Sequence, residues 1–545
     1  MHSTATLVRR LWPAVSILIL SAVPSSVVRA QARPPGPFKQ AGAAAAPPVA
    51  QATPPAPPGP PPAAPLPPPP PPPEAAPTPP PPPPPADMNA LPPPPPVDVA
   101  PPAAPTAAPA LTGEPLAGFS DGTAFLRSPD NAFILFPNGR LQIDGLFYKS
   151  DNNGLPKNTF LLRRARLELG GWIDNLVFFS IAADFASGAP AGAAPVAQTN
   201  LNTTDDYIAI APWSNLVILQ VGQYDAPFTL ENRTSDKYFD FMERSLTVRA
   251  FGIPDNKEIG AMVHGYNDPK NFYYSIGVFN GDGQNFRNAD NNFDLMMRGW
   301  IAPLSFMGDG PLHDIEVGGS FWTGNRSNTL ALANQTTQAG FTFLNFGQFN
   351  WMNGMTTTPV QFRQVGRMNA AAAEVNAPID HKFGARYEFV WKHNPLSADS
   401  IATNGTGTIL GGAELRGYSM YGQLWYWVLG DDRIIGDQQG LEPFPRFKKF
   451  GIKPPQQGVM VTTRLEYLNE KLEADDDLAP LALPSSALKT TKVTSWTLGV
   501  NYWRSKRFRA TFNYILNHFG GDSGLITGLK SKNEHEFTFR LGIAL

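Results

Sequence analysis

Apolar and polar residues alternate at every second position through most of the chain that follows residue 117. In the terminal stretch "EHEFTFRLGIAL", Phe537, Phe539 and Leu541 fall on one face, and Thr538 and Arg540 fall on the other. A period of two is typical of a β-strand with one apolar and one polar face. Amphipathic helical patterns are scarce, so the chain is predicted to be all-β.

Seventeen runs of this kind predict strands, and the run at 341–351 is the weakest of them. A closed bacterial barrel has an even number of strands, so we expect about sixteen, with one run belonging to a loop. The predicted strands are 139–150, 159–173, 176–185, 205–213, 216–226, 257–267, 271–281, 292–304, 314–324, 341–351, 360–378, 383–393, 415–430, 458–469, 492–503, 507–518 and 535–545.

Two architectures compete for this pattern, a soluble β-sandwich or propeller and a membrane barrel. Many runs reach ten residues, which is about the length that a tilted strand needs to cross a bilayer. Aromatic residues cluster at strand ends, as in "LWYWVLG" and "NFYYSIGVF", where interfacial girdles would lie. The final alternating strand can pair with the first and close the edge of the sheet. The pattern therefore predicts a transmembrane antiparallel β-barrel over residues 117–545.

Residues 1–30 have the pattern of a secretory signal peptide. Arg9 and Arg10 precede the apolar run Leu11–Val23, and the small-residue site "VRA" ends at Ala30. The run is shorter than the roughly 20 residues that a spanning helix needs. We expect Sec-type export and a location in the outer membrane of a Gram-negative bacterium. The absence of cysteine fits an envelope protein without disulfides.

Residues 31–116 are almost entirely proline and alanine, and they hold most of the 60 prolines of the chain. Such a composition cannot bury a core and favours extended polyproline II. Two interpretations stay open. The segment is a stiff disordered periplasmic spacer, or it is an arm that binds peptidoglycan or a periplasmic partner, in which case the protein is an envelope-tethering barrel.

Six stretches occur in a fixed order along the chain: "GRLQIDG", "FLLRRARLELGG", "LVILQVGQYDAPFTLE", "GYSMYGQLWYWVLGDDR", "TLGVNYWRSKRFRATFNY" and "FTFRLGIAL". This ordered set resembles the phosphate-selective porin O and P family of outer-membrane channels. The resemblance implies a barrel of sixteen strands with an inward-folded third loop, a homotrimer, and passive diffusion of small hydrophilic solutes, among them anions such as phosphate. A barrel in the outer membrane is also expected to contact outer-membrane lipid and lipopolysaccharide.

Placing the apolar face of each strand toward lipid leaves the polar face as the wall of a pore. Arginine suits an anion path because its guanidinium meets phosphate oxygens bidentately and stays charged. In the alternative, carboxylates two residues along the same face, as in Arg166/Glu168, Arg386/Glu388 and Arg464/Glu466, form structural ion pairs. The predicted pore-lining arginines are Arg140, Arg164, Arg166, Arg298, Arg386, Arg464, Arg509 and Arg540.

The same phasing places Arg163 on the lipid-facing side together with Leu161, Ala165, Leu167 and Leu169. If the amino terminus is periplasmic, this strand descends from the outer surface. We therefore expect Arg163 at the outer rim, where a long cationic side chain reaches lipopolysaccharide phosphates.

The segment "FTLENRTSDKYFDFMERSLTVRAFGIP" after the fifth predicted strand is too long for a turn and rich in aromatic and charged residues. By resemblance it is the constriction loop. Two interpretations of its balanced charge stay open. The charges produce a transverse electric field across a narrow pore, or they fix the segment to the wall as a plug. The charged candidates are Arg233, Lys237, Arg244, Arg249, Glu231, Asp236, Asp240 and Glu243.

Net charge gives no basic surplus. Of the 43 Lys/Arg and 45 Asp/Glu in the chain, 5 and 4 precede residue 117, which leaves 38 against 41 for the barrel. A general or cation-tolerant porin therefore remains an alternative to the phosphate channel.

A lipid hydrolase needs Ser and His with a third orienting group, and none of the candidate histidines lies in such a motif. We expect no catalytic residues, no metal and no cofactor.

Overall fold

The computed structural model describes residues 115–120, 123–149, 158–186, 201–213, 215–253, 256–267, 269–288, 290–308, 310–331, 360–400, 409–435, 457–474, 490–521 and 531–544. The chain divides into two units, Met1–Thr106 and Ala107–Leu545, and all the described residues belong to the second. The predicted signal peptide, nearly all of the Pro/Ala segment and the predicted strand at 341–351 lie outside the described residues.

Strands make up most of the described chain. They are β1 (Ala117–Ser120), β2 (Thr123–Arg127), β3 (Phe133–Lys149), β4 (Thr159–Ile173), β5 (Val177–Asp184), β6 (Asn202–Thr203), β7 (Asp206–Ile210), β8 (Ile218–Asp225), β9 (Lys257–Tyr266), β10 (Phe272–Phe279), β11 (Asp294–Ile301), β12 (Glu316–Ala331), β13 (Val360–Ile379), β14 (Phe383–Ser400), β15 (Ile409–Leu429), β16 (Gly458–Ala474), β17 (Thr490–Ser505), β18 (Phe508–Gly521) and β19 (Asn533–Ala544).

Sixteen of these strands, β3 to β5 and β7 to β19, form a closed antiparallel barrel. Closure occurs between β19 and β3, where Leu541 lies opposite Ile143 and Arg540 lies opposite Asp144. The predicted barrel is therefore confirmed, and all sixteen predicted strands within the described chain are present. The β1–β2 hairpin, which pairs with β3 through Leu126 and Leu135, was not predicted.

Burial alternates along the strands as the sequence pattern predicts. On β19, Phe537, Leu541 and Ile543 are exposed on the outer face, whereas Glu536 and Arg540 are buried on the inner face. An outward apolar and inward polar face is the arrangement of a membrane barrel. None of the helices in the described part of the chain is long and apolar enough to cross a bilayer.

Short turns define one end of the barrel. The β4–β5 turn contains Asp174 and Asn175, and the β13–β14 turn contains Asp380 and His381, all with φ between 52° and 54°. Asp, Asn and His adopt this left-handed backbone more readily than other non-glycine residues. Because short turns are periplasmic in outer-membrane barrels, the connection between β8 and β9 begins at the opposite, outer end.

Candidate functional site

The connection between β8 and β9, residues 226–256, is the longest described segment between two barrel strands; we call it the β8–β9 segment. It contains two short helices, α1 (Leu230–Arg233) and α2 (Leu246–Phe251). Each has a side-chain cap: Thr229 accepts a hydrogen bond from the Asn232 amide, and Ser245 accepts one from the Val248 amide. These caps satisfy amides that the first helical turn leaves without a partner.

Inward-facing side chains of the barrel hold the backbone of the β8–β9 segment. The Glu231 amide donates to Glu388 Oε1 on β14 over 2.8 Å. On β18, Asn513 Oδ1 accepts from the Met242 amide over 2.9 Å, and on β17, Asn501 Nδ2 donates to the Asp240 carbonyl over 2.7 Å. Polar side chains of the barrel interior therefore replace the water that would otherwise solvate this irregular backbone.

Asp236 lies among three arginines of β3 and β4. It forms ion pairs with Arg140, with Arg164 (Nε to Oδ2, 2.7 Å) and with Arg166 (Nη1 to Oδ2, 3.8 Å). Burial opposes ionisation of the carboxyl, but these guanidinium groups outweigh it and hold the pKa of Asp236 well below its ordinary value. The next residue, Lys237, donates to Glu168 Oε2 over 2.9 Å. This part of the segment is bound to the first two barrel strands.

Glu243 forms a second anchor. It accepts hydrogen bonds from Arg163 Nε over 3.0 Å and from Arg540 Nη2 over 2.6 Å. Burial opposes its ionisation, but Arg163 and Arg540 outweigh burial and keep the pKa of Glu243 below its ordinary value. Arg540 also donates to the Met242 carbonyl. Glu243 therefore connects the segment to β4 and β19, on either side of β3.

The prediction that Arg163 faces lipid at the outer rim is wrong. Gln142 of β3 lies opposite Arg164, but Ile143 lies opposite Leu162, so Arg163 is the extra residue of a β-bulge. A bulge re-aims the side chains that precede it. Leu161, predicted to face lipid, is 8% exposed and packs with Leu146 and Met242, whereas Phe160 is 68% exposed.

The other two carboxylates of the segment contact the opposite part of the wall. Asp240 Oδ2 lies 3.4 Å from Arg386 Nη1 of β14 and accepts from Gln423 Nε2 of β15 over 2.5 Å. Glu231 Oε1 accepts from Arg464 Nη1 of β16 over 3.2 Å. All four carboxylates of the β8–β9 segment that the structure describes are thus paired with arginines of the barrel.

The remaining arginines of the segment, Arg233, Arg244 and Arg249, are buried, and the first two bind backbone carbonyls. Arg244 donates to the carbonyls of Glu231, Asn232 and Thr234 over 3.0 to 3.3 Å. Arg233 donates to the Asp225 carbonyl. Burial lowers the pKa of Arg249, although Glu466 of the wall opposes the shift.

A cavity of about 20 Å³ lies between the segment and β16 to β19, and Arg249, Thr497 and Glu536 are among the residues that line it. A polar cavity of this size holds about one water molecule.

All eight predicted pore-lining arginines lie on the inward face, but their partners differ from the predicted ladders. Only Arg464 pairs with the carboxylate two residues away, Glu466, at 3.1 Å. Arg166 pairs with Asp184 at 2.6 Å, and Arg298 pairs with Glu374 at 2.6 Å. Apart from the pair of Arg464 and Glu466, the ion pairs of the wall arginines therefore connect different strands, or a strand and the segment.

Arg509 differs from the other seven arginines because it has no ion-pair partner among the described residues. Its guanidinium donates to Asn501 Oδ1 over 2.5 and 3.1 Å and lies 4.8 Å from the centre of the Trp503 ring. It is the second residue of β18, so it lies near the short-turn end of the interior. A buried neutral amide orients this cation without neutralising it.

Several interior partners were not predicted as site residues. Glu374, Glu388, Asn501 and Asn513 are buried on inward faces and bind an arginine or the segment. Their positions follow from the period-two phasing of β13, β14, β17 and β18, which would have identified them. Their specific partners depend on the path of the β8–β9 segment, and the alternation of residues along the strands does not predict that path.

Comparison with solved structures finds outer-membrane barrels of low sequence identity. OmpT of Vibrio cholerae is 12% identical, covering 77% of this chain and 100% of that chain, with a TM-score of 0.43. The channel DcaP of Acinetobacter baumannii is 10% identical over 77% and 99%, with a TM-score of 0.41. An anion-selective porin from Comamonas acidovorans is 11% identical over 76% and 100%, with a TM-score of 0.39.

No curated protein sequence matches this chain significantly. The family model described as phosphate-selective porin O and P matches residues 137–523, from within β3 to just past the end of β18. This range contains the β8–β9 segment and all of the wall arginines except Arg540. Together with the closed sixteen-strand barrel, it establishes that the chain belongs to the phosphate-selective porin O and P family.

Proposed function

We propose that this outer-membrane porin passes small hydrophilic anions, such as phosphate, by passive diffusion past a constriction formed by the β8–β9 segment. The observation that supports the proposal is the pairing of the four described segment carboxylates with wall arginines inside a closed barrel. A segment held on several sides leaves a fixed, narrow path instead of a mobile flap. Arginine is the residue that best meets phosphate oxygens along such a path.

Within this proposal the arginines have two roles. The seven that form ion pairs brace the barrel and hold the segment, because their charge is already balanced by a carboxylate. Arg509 has no such partner in the described chain, so its charge is available to a passing anion. Because Arg509 lies near the short-turn end, we infer that this contact occurs in the periplasmic mouth of the pore. Selectivity therefore depends more on Arg509 than on the paired arginines.

Single-channel recordings in planar bilayers, with reversal potentials in a salt gradient, test the proposal. We expect anion preference and a decrease of chloride current on addition of phosphate, and we expect Arg509→Gln to weaken both. Arg504→Gln is the matched control, since Arg504 lies on β17 near the same end but is exposed on the outer face. Cation preference of the native channel, or equal effects of the two variants, would contradict the proposal.

The proposal also includes a homotrimer, as the family resemblance implies, and export through residues 1–30. Sequencing of the mature protein is expected to begin at Gln31. Residues 31–116 act in this proposal as a periplasmic spacer, so their deletion leaves conductance unchanged. A loss of envelope attachment in that deletion, together with an absence of conductance in the full chain, would favour the tethering function instead.

A further inference from the structure

The outer face of β14 to β17 carries a group of cations and aromatic residues at the end opposite the short turns. We call it the basic–aromatic surface; it consists of Trp391, Arg416, Tyr418, Asn469, Lys471 and Lys492. These six side chains border one cavity of about 400 Å³. None of them faces the barrel interior, so this cavity is separate from the pore.

Strand register brings these residues together. Arg416 of β15 lies directly opposite Lys471 of β16, and Tyr418 lies opposite Asn469. On the two flanking strands, Trp391 is the partner of Tyr418 and Lys492 is the partner of Asn469. Directly opposed residues are close neighbours on one face of an antiparallel pair, so the surface is two adjacent rows across four strands.

The position of the surface along the barrel matches a membrane interface. Tyr426 lies opposite Phe383, the first residue of β14, and Arg416 lies opposite His393, ten residues farther along each strand. At ~3.4 Å per residue and a tilt of about 40°, ten residues rise about 26 Å, close to the ~25 Å height of the apolar band of a barrel. The cations therefore lie at the outer border of that band, where aromatic girdles occur.

The cations of the surface are accessible, unlike those of the interior. The side chains of Arg416 and Lys471 are 51% and 45% exposed. Both pair with Glu473, which holds them side by side and balances only one of their two positive charges. Lys492 has no carboxylate partner among the described residues. Asn469 Nδ2 lies 3.3 Å from Tyr418 Oη, to which it donates, so the polar groups between the cations are also ordered.

We propose that the basic–aromatic surface binds the phosphate groups of a phosphorylated glycolipid in the outer leaflet. Exposed Lys and Arg at the interface attract lipid phosphates, and the cavity has room for a headgroup. Below it the outer face is apolar, with Leu465 and Trp496 exposed to receive acyl chains. A free phosphate ion would use the cations but not this apolar face. The basic–aromatic surface, and not Arg163, is then the part of the barrel that contacts lipid phosphates at the outer rim.

The test measures binding of bisphosphorylated lipid A, added in detergent micelles, to the full-length protein in the same detergent, followed by tryptophan fluorescence and by native mass spectrometry. We expect the triple variant Arg416→Gln, Lys471→Gln, Lys492→Gln to bind at least about tenfold more weakly, since each basic residue near an anionic surface contributes severalfold. The matched control is Lys382→Gln, Arg504→Gln, Lys506→Gln, which removes three cations from the short-turn end. It is expected to bind as the native protein does.

Equal loss in both triple variants, or no loss in either, overturns the proposal. Displacement of the lipid by millimolar inorganic phosphate also overturns it, because that result identifies a phosphate site and not a lipid site. Lys492→Gln alone leaves the ion pairs of Glu473 intact and is expected to weaken binding about fivefold, which provides a second variant if the triple does not fold. Unchanged conductance in these variants separates this inference from the proposed channel function.

Discussion

Arg163 Nε donates a hydrogen bond to Glu243 Oε1 over 3.0 Å, and this bond joins the bulge of β4 to the β8–β9 segment. Arg540 of β19 binds the same carboxylate. A single segment residue therefore holds two strands that are not neighbours in the sheet. The β8–β9 segment therefore stabilises the barrel wall as well as filling part of its interior.

Replacing Glu243 by Gln is expected to loosen the segment. Removing one member of a buried ion pair leaves its partners buried without a counter-charge, at a cost of about 3 to 5 kcal/mol. We expect noisier single-channel currents and faster amide hydrogen exchange over residues 226–253. Glu414→Gln, a carboxylate exposed on the outer face, is the control. Native current noise and native exchange in Glu243→Gln would show that the segment is held by its other contacts.

The pH response of the segment follows from the depressed pKa values of Asp236 and Glu243. A carboxylate whose folded-state pKa is lowered stabilises the folded state fully above its ordinary pKa, near 4, and loses that contribution as pH falls toward the folded value. The contribution of these two anchors, measured as the difference in current noise between the native channel and Glu243→Gln, is therefore expected to be constant from about pH 8 to pH 5 and to decrease only below about pH 4. A transition of this difference near pH 6 would contradict the role of Asp236 and Glu243 as ionised anchors.

The ion pair of Arg298 and Glu374 is expected to act in stability and not in selectivity. Each partner is almost fully buried, and the pair connects β11 to β13. Arg298→Gln should lower resistance to thermal unfolding in detergent while leaving the reversal potential unchanged. Arg509→Gln is expected to show the opposite behaviour. A shift of reversal potential in Arg298→Gln equal to that of Arg509→Gln would reject this division of roles.

The bulge makes a specific prediction about side-chain direction. Because Leu161 faces inward and packs against Leu146 and Met242, Leu161→Ala is expected to lower the free energy of unfolding by about 2 to 5 kcal/mol. Leu167→Ala, on the outer face of the same strand, removes contacts with lipid and should cost less. Urea unfolding of the protein in detergent or lipid measures both. Equal costs would indicate a regular β4 without the bulge.

The strands and the inward arginines were predictable because a period of two determines which residues share a face. The bulge at Arg163 was not, since one additional residue breaks the count without leaving a signal in the alternation. The partners of the arginines were not predictable either. Arg140 pairs with Asp236, which lies 96 residues away in a segment whose path depends on the whole barrel. The local sequence pattern predicts which way a side chain points, whereas the ion-pair partner of an arginine depends on the tertiary structure.

The seam between β3 and β19 gives the barrel an assembly order. Arg540 binds Asp144 through two hydrogen bonds of 2.7 Å, and these residues are 396 positions apart in the chain. Contacts between such distant positions form late, because closing so long a loop is entropically costly. We therefore expect these two strands to join after the fourteen between them have paired and after Glu243, which also binds Arg540, is in place. Closure of the barrel at this seam is then coupled to correct placement of the β8–β9 segment inside it.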